Sequence, residues 1–192
     1  MSNIDELLKF VSHELSFDNT GHGVSHSKRV LKNALIISKD LNVNEELLTV
    51  SSIVHDYIDH KLFKNQDAQI EKLKHKLTSL NYDNSFINQV LNIILNISFS
   101  KGKIPSTLEG KIVQDADRLD SLGAIGVART FQYGAINNRN MYDDSENCTI
   151  AHFYDKLFKL EKIMNTENAK ALAKEKTEFM HKFVEKFMDE WV

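Results

Sequence analysis

Apolar residues recur three and four positions apart along most of the chain, and each such run predicts an amphipathic helix. Val30, Ala34, Ile37 and Leu41 form one stripe, and Leu47, Val50, Val54 and Ile58 a second. Val90, Ile93, Ile94 and Ile97 make a third, with Phe179, Phe183 and Phe187 as a fourth near the end. The pattern predicts helices over about 3–16, 25–41, 44–60, 66–80, 83–98, 107–119, 121–133, 149–164 and 167–190. Thr166 ahead of Glu167, and Ser106-Thr107 ahead of Glu109, supply start signals. No useful period-two segment interrupts this series, so the expected fold class is all-α. The longest irregular stretch, about 134–149, carries Asn137, Asn138, Asn140, Asp143 and Asp144 and reads as a surface loop able to approach a substrate.

Breakers are scarce: Pro105 is the one proline, and the seven glycines are Gly21, Gly23, Gly102, Gly110, Gly123, Gly126 and Gly134. With no repeat, linker or low-complexity tract, the 192 residues are expected to form a single domain. The net charge of -3 is scattered along the chain, which argues against binding duplex nucleic acid or an anionic membrane. A small phosphorylated partner stays open, because a metal ion can supply the positive field. The start, Met1-Ser2-Asn3-Ile4-Asp5-Glu6, lacks a basic, apolar signal sequence. No run approaches the roughly 18 apolar residues of a membrane helix. A cytoplasmic setting is expected, and the lone Cys148, which can form no internal disulfide, agrees with it.

Imidazole and carboxylate ligands on separate helices can converge on one divalent ion inside a bundle. His26 opens the second predicted helix; the doublet His55-Asp56 directly follows the apolar Ile53-Val54; Asp117 lies one turn beyond Val113, between Ala116 and Leu119. Taken singly, each acid could as readily cap a helix or pair with a cation. Taken together, buried ionisable groups on apolar helical faces favour the ligand reading, because unpaired buried charge is costly.

This arrangement resembles the HD-domain superfamily of metal-dependent phosphohydrolases, whose pattern is a histidine, a distant His-Asp doublet and a later aspartate. The opening His22-x-x-x-His26-x-x-Arg29-Val30, the stretch 112–126 ending in Leu122-Gly123-Ala124-Ile125-Gly126, and the tail from His152-Phe153-Tyr154 to Met164-Asn165-Thr166-Glu167 are similar to its small YedJ/YpgQ-like single-domain branch. The resemblance spans nearly the whole chain. It implies a single-domain HD helical bundle over 1–192, with a metal-binding core at about 22–133 and C-terminal helices at about 149–190. It also implies one divalent ion, manganese favoured (magnesium, nickel, cobalt or iron as alternatives), held by His26, His55, Asp56 and Asp117. Asp117 is preferred over Asp115 and Asp120 because Ala116-Asp117-Arg118-Leu119 fits the superfamily's frame. Two-metal and di-iron members carry two further histidines between doublet and final aspartate; only His60 and His75 lie there, and His75 sits among lysines.

The implied activity is hydrolysis of a phosphate ester or anhydride by metal-activated water, with nucleotides as the usual substrates and pyrophosphate release from triphosphates favoured. Asp59, one turn beyond Asp56, is placed to orient a ligand histidine or accept a proton, with a solvent-facing acid as the alternative. The catalytic group is thus His55, Asp56 and Asp59. Arg29, Lys61 and Arg118 are candidates for substrate phosphates, with solvated or ion-paired cations as the bland alternative, and His22 for a further substrate contact. Gly123 and Gly126 read as close-packing positions, or as points where backbone meets a nucleotide. Phe99, Phe131 and Tyr133 are candidate base-pocket walls, with core packing the default. The competing functions are a nucleoside monophosphate phosphatase, a nucleotide-sensing or protein-binding HD module without turnover, and a di-iron redox protein. The aromatic C-terminal helix closes the core or forms a dimer face, leaving monomer and homodimer both open.

Overall fold

Local side-chain chemistry starts most of the helices. The computed structural model of the chain describes residues 2–16, 23–58, 65–97, 103–143 and 145–191. Helix α1 (Asn3–Glu14) opens with a reciprocal box, in which Ser2 accepts from the Asp5 backbone and Asp5 from that of Ser2. Asn44, Asn65 and Asp83 cap α3 (Glu45–Val54), α4 (Gln66–Ser79) and α5 (Asn84–Ile94), while α2 (Val24–Ile37) begins at Gly23 with no side-chain cap. At the start of α6 (Leu108–Asp120), Thr107 Oγ1 accepts the Gly110 N–H at 3.1 Å. Helix α7 (Gly123–Ile136) follows. The next helical segment begins as a π-turn, Phe153–Leu157, passes through the short α8 (Phe158–Leu160) and ends in a 3-10 turn, Glu161–Ile163. Thr166 then caps α9 (Glu167–Glu190) by accepting from the Ala169 backbone. No strand occurs among the described residues, and no helix among them is long and apolar enough to cross a membrane.

The chain divides into two compact units, Met1–Gln114 and Asp115–Val192. In the first, α3 is the central element. Every residue of α3 from Leu47 to Val54 is buried, and it packs against α1, α2 and α5. The expected stripes supply this core: Val30, Ala34 and Ile37 from α2, then Val90, Ile93, Ile94 and Ile97 from α5 and its end. Leu41 falls outside it and is partly exposed, because the chain leaves α2 after Ile37 and turns through Asp40 at φ 65°. Tyr57, fully buried beyond the end of α3, donates its hydroxyl to Glu14 at 3.3 Å, and Lys72 of α4 pairs with the same carboxylate. Burial and the nearby Glu14 charge raise the phenol's pKa well above its ordinary value, so the hydroxyl stays a donor. Tyr57→Phe is expected to cost about 1 kcal/mol, the usual net worth of one such bond. A thermal melt checks this by a fall of a few degrees.

In the second unit, α9 packs on α7 and buries Ala169, Ala173, Thr177, Met180 and Val184. Phe131 lies at the centre of an aromatic cluster, with ring centroids of Phe153, Phe183 and Phe187 at 6.2, 5.9 and 5.7 Å. Phe131 is therefore a packing residue, whereas Tyr133 is exposed beneath the guanidinium of Arg139. Phe179 is also exposed, 46% of its surface open. Phe179 lies about 100° or more around the helix from the buried Ala173, Thr177, Met180 and Val184, so it falls outside the buried face. The loop after α7 is closed by backbone bonds from Thr149 to Asn140 and from Ile150 to Met141, and its Cys148 is buried.

Candidate metal centre

The first unit converges three of the expected ligands. His26 lies in the first turn of α2, on the face shared with Val30, and is buried. His55 ends α3 directly after its buried run and is buried too. Their Nε2 atoms are 3.1 Å apart. The Asp56 carboxylate faces both rings, with Oδ2 3.2 Å from His26 Nε2 and Oδ1 3.3 Å from His55 Nε2.

One further bond sets the chemistry. His55 Nδ1 lies 2.9 Å from the Ser52 carbonyl. A carbonyl can only accept, so Nδ1 carries a proton, and Nε2, the nitrogen that faces His26 and Asp56, is the one the ring can offer to a metal. Two imidazole nitrogens and two carboxylate oxygens thereby face one small volume. Such a donor set calls for a cation. Neighbouring ligands of a six-coordinate divalent ion, each about 2.1 Å from it, stand about 3 Å apart. The observed separations of 3.1 to 3.3 Å fit that spacing.

Asp117 lies on α6 in the second unit, half-buried among wholly buried neighbours. The other two acids of its segment are committed elsewhere. Asp115 receives the backbone N–H groups of Asn165 and Thr166, and Asp120 pairs with Arg129. Arg118, only 9% exposed, donates to the Ile163 carbonyl. Arg29 is half-buried on α2, and His75 is exposed on α4. His22, Asp59, His60, Lys61 and Phe99 lie outside the described residues. The Asp115 network and the Ser52 carbonyl went unanticipated in the sequence; for Asp115, the only signal was its proximity to Arg118.

Comparison with known proteins agrees with this picture. Residues 23–122 match the HD domain family. The uncharacterised protein YpgQ of Bacillus subtilis is 33% identical over 188 residues, 96% of this chain and 91% of that protein. Its crystal structure in complex with ADP superposes with a TM-score of 0.85 at 31% identity, covering 97% of each chain. An HD-superfamily hydrolase from Bacillus thuringiensis gives a TM-score of 0.82 at 39% identity over 98% of this chain and 96% of its own. HD domains bind divalent metal, and the His-Asp cluster fits that property. The chain belongs to the HD-domain superfamily, in its YpgQ-like branch, and is a metal-dependent phosphohydrolase.

Proposed function

We propose that this phosphohydrolase acts on nucleotides, releasing pyrophosphate from nucleoside triphosphates, with a single divalent ion, manganese by preference. The observation that carries the reading is the convergence of His26, His55 and Asp56 with the His55 tautomer set by Ser52. The proposed ligands are His26, His55, Asp56 and Asp117. Support for Asp117 comes from the superfamily pattern and from Asp115 and Asp120 being engaged with Asn165, Thr166 and Arg129. Support for a nucleotide comes from YpgQ, whose crystal structure is a complex with ADP.

A bound divalent ion would acidify water and offset charge on a phosphoryl oxygen. The chain's own residues do the rest. The Ser52 carbonyl holds the His55 ring in one tautomer and one orientation. Asp59 accepts the proton of the attacking water or orients a ligand histidine, and Arg29, Lys61 and His22 meet the substrate's phosphates. Water oxygen bonds to the α-phosphorus as the bond to the bridging oxygen breaks. The electron pair leaves with pyrophosphate, and the nucleoside monophosphate remains.

The test is manganese-supplemented hydrolysis of nucleoside mono-, di- and triphosphates, with orthophosphate and pyrophosphate scored separately. Pyrophosphate from triphosphates, with monophosphates untouched, is expected. Orthophosphate from monophosphates would replace the reading with a phosphatase at the same site. Silence from folded, metal-loaded protein would remove nucleotides as substrates.

A further inference from the structure

Asp115 is the most completely enclosed acid of α6, with no exposed surface, and four donor groups converge on its carboxylate. The Asn165 N–H reaches Oδ1 at 2.8 Å and Oδ2 at 3.1 Å, and Asn165 Nδ2 reaches Oδ1 at 2.8 Å. The Thr166 N–H and its Oγ1 both donate to Oδ2 at 2.9 Å. One turn on, Arg118 donates to the Ile163 carbonyl, and its Nη1 stands 3.7 Å from Asp115 Oδ1. The guanidinium also interacts electrostatically with Asp117.

These bonds tie one turn of α6 to the segment 163–166 that ends the 3-10 turn and starts α9. Residues 115 and 118 lie about 60° apart around the helix, whereas 117 lies about 100° or more from either. The tie therefore holds one face of the turn and leaves Asp117 to project from another. Apolar side chains would join these segments without the desolvation cost of a buried carboxylate and guanidinium. The directional bonds of this polar network instead impose one register. We propose that Asp115 and Arg118 are positioning residues that fix the backbone carrying Asp117. The inference rests on reading Asp117 as a metal ligand.

The experiment is manganese titration of the metal-free full chain by electron paramagnetic resonance, with thermal melts of the same samples. Asp115→Asn and Arg118→Met are expected to weaken manganese binding about tenfold or more, the usual loss when a ligand's supporting partner is removed. Arg118→Met carries a sign test. Removing a positive charge beside a ligand would by electrostatics alone tighten binding of a cation, so tighter binding overturns the positioning role. Asp120→Asn, which breaks the buried pair with Arg129, is the stability control and is expected to lower the melting point with unchanged affinity. Affinity that follows the melting point across all three variants means general loosening and overturns the proposal. Should Asp115→Asn fail to fold, Asn165→Ala removes a single donor, and a loss of about twofold to threefold is expected; no loss overturns the proposal. Asp117→Ala separates the two readings. Unchanged affinity there sinks the ligand assignment itself, whereas loss in Asp117→Ala without loss in Asp115→Asn sinks only the positioning role.

Discussion

Asp56→Ala is expected to lower hydrolysis by on the order of a thousandfold and to abolish stoichiometric manganese binding. Charge stabilisation by a bound divalent ion is worth several kcal/mol in a phosphoryl transition state, and each 1.4 kcal/mol lost is a factor of ten in rate. The Asp56 carboxylate faces both buried imidazoles, at 3.2 and 3.3 Å. Its removal takes from the two imidazoles the carboxylate that bridges them, and leaves a poorer trap for a hard cation. The fold should survive, because Asp56 is partly open to solvent and its neighbours Val54 and Tyr57 keep their packing. Asp56→Asn sharpens the comparison. It retains shape and one acceptor oxygen but loses the charge, so it should bind manganese weakly and remain nearly as inactive. Circular dichroism, metal content and rate measured on the same preparations decide the matter. Full manganese occupancy with a rate within tenfold of the parent would remove Asp56 from the ligand set.

The placement of this doublet was legible because helical period alone accounts for it. Leu47, Val50, Val54 and Ile58 mark an apolar helical face, and residues that directly follow such a face inherit its burial. The His55 tautomer was not legible. It depends on a backbone carbonyl three residues earlier, and every helix end offers carbonyls of that kind. Asp115, Asp117 and Asp120 show a different gap. All three sit in one apolar-flanked segment, and only the tertiary partners Asn165, Thr166 and Arg129 show which are bound up in the fold. Arg118, a cation in a site-like motif, was an obvious phosphate candidate; its commitment to the Ile163 carbonyl comes from a segment 45 residues away. The expected helix at 149–164 resolves into π, α and 3-10 turns. The apolar spacing there suits any of the three, and packing of Phe153 and Phe158 rather than local preference accompanies the change.

Gly126→Ala is expected to destabilise the protein by about 1–3 kcal/mol or more, although glycine to alanine inside a helix normally stabilises by about 0.5–1 kcal/mol. Gly126 lies in the first turn of α7, and a Cβ there would stand 2.2 Å from the Ser121 carbonyl oxygen and 2.5 Å from its carbon. Both are backbone atoms, so no rotamer change relieves the overlap, and the turn between α6 and α7 must move. That turn has little freedom to give. Gly123 holds it at φ 71°, a left-handed conformation that residues with a Cβ rarely adopt. Gly134 provides the contrast. Its added Cβ would meet Thr149 Oγ1 at 2.2 Å, but a hydroxyl can turn away about χ1, so Gly134→Ala should cost less. Chemical denaturation of the two variants alongside the parent tests the ordering, with equal slopes required so that the midpoints compare directly. A Gly126→Ala midpoint at or above the parent's would show that the Ser121 turn yields freely. The displaced turn directly follows Asp117 and Asp120, so a confirmed loss would also make manganese affinity the next quantity to measure in this variant.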